Sequence, residues 1–124
     1  MSVPRRDDLV LVVDDEDAVR RSVAEILRGV GYVVTEAEDG ERALQMLGDS
    51  AVRVLVLDVR MPRLDGIGVL DALDEPPAVV LVSAQRLSPD VEARLKGKVV
   101  SFLQKPVPPR RLLDEVASAA RSAP

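Results

Sequence analysis

The chain of 124 residues has no cysteine, no histidine and no tryptophan. Without cysteine there is neither a disulfide frame nor a thiolate metal site. Without histidine there is no imidazole for acid–base work, no imidazole-held zinc and no phosphohistidine donor. Tyr32 and Phe102 are the only aromatic residues, 2% of the chain, which leaves no stacking surface for nucleobases or a flavin ring. Apolar runs stop well short of the roughly 20 residues of a membrane span. The opening Met-Ser-Val-Pro-Arg-Arg-Asp-Asp lacks the apolar stretch of a signal peptide, so no membrane partner and a cytoplasmic location are expected. Basic charge is also in short supply. Lys and Arg number 17 against 21 Asp and Glu, a formal net charge of −4, and no basic block exceeds a pair. Phosphate backbones demand a basic face, so nucleic acid is not expected as a direct ligand.

What is present suits one compact domain over residues 1–124, with 47% hydrophobic and 31% charged residues. Residues 1–7 read as a flexible N-terminus and 122–124 as a tail or the start of a linker. Short apolar runs alternate with helical periodicity. The runs are Leu9–Val13, Tyr32–Thr35, Val54–Leu57, Val79–Val82 and a weaker Val99–Leu103. Such runs predict strands buried on both faces. Val19, Val23, Ile26, Leu27 and Val30 form one helical stripe. Ala43, Leu44 and Leu47 form a second, and Ile67, Leu70 and Leu73 a third that Pro76-Pro77 cuts short. Ser88-Pro89 predicts a capped start for a thinly anchored helix carrying Val91 and Leu95. Pro108-Pro109 opens the last helix, with Leu112, Leu113, Val116, Ala117 and Ala120 inward. This alternation predicts a parallel sheet with helices on both faces. Sites in such sheets form at the carboxyl ends of the strands.

The residues that follow the runs are Asp14, Asp15, Asp58, Ser83 and Lys105. Three carboxylates at one sheet end repel each other. Two of them about 4 Å apart, at an effective dielectric near 20, cost roughly 4 kcal/mol. A hard divalent ion with oxygen ligands relieves this, and Mg²⁺ also accepts phosphate oxygens. Acids, a lysine and a hydroxyl together suit phosphoryl chemistry. Asp14-Asp15 alone would read as a solvated turn, Phe102 alone equally as core, and Asp65-Gly66 as a turn only.

Four segments resemble the receiver domains of two-component response regulators, the chemotaxis regulators among them. They are Val-Val-Asp14-Asp15-Glu16, Leu-Val-Leu-Asp58-Val-Arg-Met-Pro62-Arg-Leu-Asp65-Gly66, Leu-Val-Ser83-Ala84 and Phe102-Leu-Gln-Lys105-Pro106. The resemblance runs from about Leu9 to Arg121. It implies a flavodoxin-like, doubly wound (βα)5 three-layer sandwich with a five-stranded parallel sheet in the order 2-1-3-4-5. It also implies a phosphoacceptor signalling domain rather than a turnover enzyme. Asp58 matches the acceptor of a phosphoryl group from a histidine kinase phosphohistidine. Asp15, Asp58 and the backbone carbonyl of Arg60 match the Mg²⁺ ligands, and Asp14 matches the acid of the same metal site that usually reaches the ion through water. Ser83, the Ala84 backbone and Lys105 match the phosphate contacts, and Ser83 with Phe102 the switch pair. Lys105-Pro106 matches a peptide bond that is commonly cis. The implied partners are a sensor histidine kinase or phosphotransfer protein and a downstream protein or linked output domain. The surface from Ser83 through the fourth helix to Phe102 is the expected output face.

Several positions depart from that pattern. Arg60 is a long cation where a smaller polar residue is common, and is expected to lean on the acids and weaken Mg²⁺ binding. Gln85 lies at a position that tunes loss of phosphate. Phe102 replaces the commoner tyrosine, and Lys98-Val99 the commoner Gly-Ala. Val100-Ser101 replaces an acidic pair used for symmetric dimers in the winged-helix branch, so that dimer is not expected. The alternative function is a degenerate receiver acting as a phosphorylation-independent interaction module, which the intact acids, serine and lysine argue against. A flavin carrier lacks its aromatics. An aspartate-dependent phosphatase lacks a second acid at position 60, and a nucleotide site lacks its glycine-rich loop.

Overall fold

The computed structural model describes residues 9–122. The expected flexible segment 1–7 and the last two residues of the expected tail lie outside the described residues, while Ser122 closes the final helix. Strands and helices alternate strictly: β1 Leu9–Val13, α1 Asp17–Gly29, β2 Val33–Ala37, α2 Gly40–Asp49, β3 Val54–Asp58, α3 Gly66–Asp71, β4 Ala78–Ser83, α4 Pro89–Leu95, β5 Ser101–Gln104 and α5 Pro109–Ser122. The five strands are parallel in the order β2-β1-β3-β4-β5. This is the flavodoxin-like α/β fold.

The sheet's two faces are chemically unequal. Val10, Val12, Val54, Val56, Val80 and Val82 face one way, onto Ala24 and Leu27 of α1 and Leu112, Val116 and Ala119 of α5. Leu11, Leu55, Leu57 and Leu81 face the other way with Val13 and Val79, toward Ala43, Val69, Leu70 and Leu95. The valine face carries the long helices, 13 and 14 residues. The leucine face carries helices of 10, 6 and 7 residues, so the longer strand side chains supply more of the core there. Each fully buried Val or Leu contributes about 1.5–3 kcal/mol.

Four boundaries differ from the sequence reading. Tyr32 is buried but precedes β2, and Val99 is buried but precedes β5. Val30 is 44% exposed instead of closing the α1 stripe. The helix ends at Gly29, Val30 leaves helical geometry as the C-cap with φ −104° and ψ 7°, and Gly31 turns the chain away with a positive φ of 105°. The third helix is short as expected, but it stops at Asp71, and Leu73 packs on the core from the following turn.

The Ser88 side chain caps α4 by accepting from Val91 N, with Pro89 at the first helical position. Leu95 is the one fully buried residue of that helix. Lys98 closes the end of α3: its Nζ donates to the carbonyls of Leu70 at 3.0 Å and Leu73 at 3.4 Å. A cation there adds a donor to carbonyls at the helix end and meets the negative end of the helix dipole. Lys98→Met should lower stability by about 1 kcal/mol and the melting temperature by roughly 4 °C. Thermal circular dichroism checks this, and an unchanged transition would remove Lys98 from the account of α3.

Candidate functional site

Parallel register delivers the site residues to one edge. Val13 pairs with Leu57, Asp58 with Val82 and Ser83 with Gln104, so Asp14, Asp58, Ser83 and Lys105 emerge together. Asp14 and Asp58 are each 5% exposed, whereas Asp15 faces solvent. One carboxylate oxygen from each of Asp14, Asp15 and Asp58 lies within 4.8 Å of the others. Lys105 Nζ reaches across them, 2.9 Å from Asp14 Oδ2 and 3.4 Å from Asp58 Oδ1. Asp14 Oδ1 accepts from the Glu16 amide at 2.9 Å. The Lys105 amide in turn donates to the Ser83 carbonyl at 2.8 Å, and the Lys105–Pro106 peptide is cis.

Burial and the Asp14 charge push the Asp58 carboxyl up from 3.8 to about 6, against the pull of Lys105. Burial lowers the Lys105 ammonium, but Asp14 and Asp58 outweigh it and the net direction is upward. The lysine therefore stays charged. One cation faces three carboxylates, and all the donors are hard oxygens. That set fits Mg²⁺ far better than a metal that prefers nitrogen or sulfur.

Asp65-Gly66 is more than a turn. Asp65 Oδ1 caps α3 by accepting from Gly68 N at 2.8 Å, and the Gly66 amide donates to the Val59 carbonyl at 2.8 Å. A Cβ at position 66 would collide with the main-chain oxygen of Asp58. Only glycine lets α3 seat directly against the Asp58 backbone.

Ser83 is buried and its hydroxyl turns into its own loop. It donates to Gln85 O at 2.5 Å and accepts from Gln85 N at 3.1 Å. Ala84 is exposed beside it. Arg60 does not lean on the acids. Its Nη2 donates to Gln85 Oε1 at 2.7 Å, and among the described residues no ion pair joins it to the cluster. Lys105 already sits between Asp14 and Asp58, and the neutral amide of the neighbouring loop takes the guanidinium. Phe102 is half-buried on the leucine face and borders a cavity of about 200 Å³ shared with Ser83 and Gln85.

Arg20 escaped the sequence reading. It is 8% exposed and sits on the inward side of α1 with Ala24 and Leu27. Its spacing from those two residues, four and seven, was the available signal.

A family model for the response regulator receiver domain matches residues 10–117. The chain belongs to that family. It is 40% identical over 116 residues to response regulator MprA of Mycobacterium ulcerans, covering 90% of this chain and 50% of that protein. It is 36% identical over 115 residues to the probable transcriptional regulator ycf27 of Porphyridium aerugineum, covering 90% of this chain and 48% of that one. The chain thus spans about half the length of the curated relatives it matches. Among solved structures it is similar to the Vibrio cholerae chemotaxis protein CheY4, with 27% identity, a TM-score of 0.83 and coverage of 90% and 98%. The receiver domain of Francisella response regulator 1452 gives 28% identity and 0.84, covering 93% and 98%. As a receiver domain the chain is a signalling phosphoacceptor rather than a turnover enzyme, and its aspartate triad is of the Mg²⁺-binding receiver type. No helix among the described residues is long and apolar enough to cross a membrane.

The raised Asp58 carboxyl links stability to pH. The native site binds this proton more tightly than the unfolded chain does. Its contribution is therefore complete below about pH 4 and is lost as pH rises through about 6. The difference between 3.8 and about 6 corresponds to about 3 kcal/mol. In metal-free buffer, Asp58→Asn should gain stability relative to the parent between pH 4 and 7. Urea unfolding at both pH values measures it, and an identical difference at the two would place Asp58 at its ordinary value.

Proposed function

We propose that this receiver takes a phosphoryl group onto Asp58 from the phosphohistidine of a sensor histidine kinase or a phosphotransfer protein. The observation that carries this reading is the convergence of Asp14, Asp15 and Asp58 with the Lys105 ammonium at one edge of the sheet. A carboxylate oxygen of Asp58 forms a bond to phosphorus while the phosphorus–nitrogen bond of the donor breaks. The electron pair leaves with the imidazole. Lys105 balances charge on the transferring oxygens. Asp14, Asp15, Asp58 and the Arg60 carbonyl would hold Mg²⁺, which supplies further charge neutralisation when bound.

Ser83 and the Ala84 amide then contact the new phosphoryl oxygens. For Ser83 this means leaving the Gln85 backbone. Phe102 follows into the space beside it. The readout is carried by the surface from Ser83 through α4 to Phe102, to a downstream protein or a linked output domain. α4 suits that role because Leu95 is its one buried residue. The setting is cytoplasmic.

Arg60 and Gln85 tune the lifetime of the modified state. Their hydrogen bond ties the loop after β3 to the loop after β4 beside Asp58. Gln85→Ala releases that tie and admits water, so the phosphorylated form should lose its phosphoryl group faster. Decay of the intact mass over time measures this, and an unaltered half-life would remove the pair from the mechanism.

The reading itself is tested by intact mass after incubation with acetyl phosphate and Mg²⁺. One phosphoryl increment is expected, dependent on Mg²⁺ and absent in Asp58→Asn. No increment with acetyl phosphate or with a panel of phosphorylated kinases would leave the phosphorylation-independent interaction module as the function.

A further inference from the structure

The acids are held by more than Lys105. Asp14 follows the last paired residue of β1, and its amide makes the final bond to β2, donating to the Ala37 carbonyl at 3.2 Å. Its own carbonyl has therefore run past the sheet, on a residue only 5% exposed. A buried carbonyl without a partner is costly. Arg20 Nη1 supplies the partner at 2.9 Å, in a buried hydrogen bond. The same guanidinium is fixed on its other edges, by Asp17 Oδ1 at 2.7 Å from Nη2 and Glu36 Oε1 at 3.3 Å from Nε. Glu36 is itself held by Arg28 Nη1 at 3.2 Å.

We infer that Arg20 is a positioning residue for the metal-holding loop. The carbonyl that Arg20 holds fixes the tilt of the peptide plane between residues 14 and 15. The Asp14 and Asp15 side chains leave from the Cα atoms at the two ends of that plane. Fixing the carbonyl sets the spacing of the two acids before any cation arrives. Arginine suits the task because its planar fork serves three acceptors at once, which a lysine head on a flexible stem does not match. The inference rests on the receiver reading above, since it assigns Arg20 a part in Mg²⁺ binding.

The test is calorimetric titration of the unphosphorylated protein with Mg²⁺, alongside circular dichroism to register folding. Arg20→Met keeps the apolar stem and removes every donor. Arg20→Lys keeps the charge and one donor head. Arg28→Gln breaks a neighbouring Glu36 contact and leaves the Asp14 carbonyl held. Arg20→Met should weaken Mg²⁺ binding about tenfold, the usual scale for partners behind the ligands. Arg20→Lys should fall between it and the parent, and Arg28→Gln should bind as the parent does. Equal Mg²⁺ affinity for parent and Arg20→Met overturns the inference. So does an Arg28→Gln defect as large as that of Arg20→Met, which would mark a general loss of stability. Should Arg20→Met fail to fold, Arg20→Lys set against Arg28→Gln decides in the same way. A parent that binds no Mg²⁺ overturns the Mg²⁺-dependent phosphoacceptor reading and this inference together, whereas a parent that binds while Arg20→Met matches it overturns this inference alone.

Discussion

The crowding of Asp14, Asp15 and Asp58 is the constraint on which the rest of the site depends. Three carboxylates share a space of 4.8 Å, two of them nearly withdrawn from water. Each neighbouring contact works against the cost of that arrangement. Lys105 bridges two of the acids, the Glu16 amide holds the third face of Asp14, and Arg20 grips its carbonyl. The compensation is incomplete, as the upward push on the Asp58 carboxyl records. A site left with excess negative charge has a standing affinity for a cation, and on the proposed reading an acyl phosphate on Asp58 would form beside the Lys105 ammonium.

Secondary structure follows this demand. β1, β3 and β5 end where the acids and the lysine are needed, and the parallel ladder keeps those ends level. Gly66 lets α3 start against the Asp58 backbone, and Lys98 stops the helix a turn and a half later. A helix of six residues cannot sustain itself on hydrogen bonds alone. It stands because both its ends are held and because Val69 and Leu70 are fully buried.

The strands, the fold and the identity of the clustered acids were legible in the sequence because apolar runs ending in charge carry both kinds of information at once. Residues defined by a partner distant in sequence were not. Lys98 read as a substitution without a role, because the carbonyls it meets lie 28 and 25 positions earlier. Arg60 read as a cation beside acids, because nothing local announces that Gln85, 25 positions on, will take its guanidinium. Arg20 lies on the inward face of α1, where a charged side chain does not add to the apolar stripe that marks the face. Val30 failed for the opposite reason: its periodicity was right, but the helix had already ended.

The unmodified geometry also bounds how far a phosphoryl group moves the molecule. Ser83 is not waiting with an idle hydroxyl. It already makes one bond to the Gln85 carbonyl and accepts one from the Gln85 amide. Turning toward a phosphoryl oxygen exchanges two neutral hydrogen bonds worth about 0.5–1.5 kcal/mol each for one charge-assisted bond worth about 1.5–3 kcal/mol. The net gain is about 1 kcal/mol or less. Reversing an equilibrium from 1:99 to 99:1 takes about 5.5 kcal/mol. Lys105 adds little to the difference, because it is already engaged by Asp14 and Asp58. On the proposed phosphoacceptor reading the switch would be a biased equilibrium, to which a partner that favours one arrangement of α4 and Phe102 would also contribute.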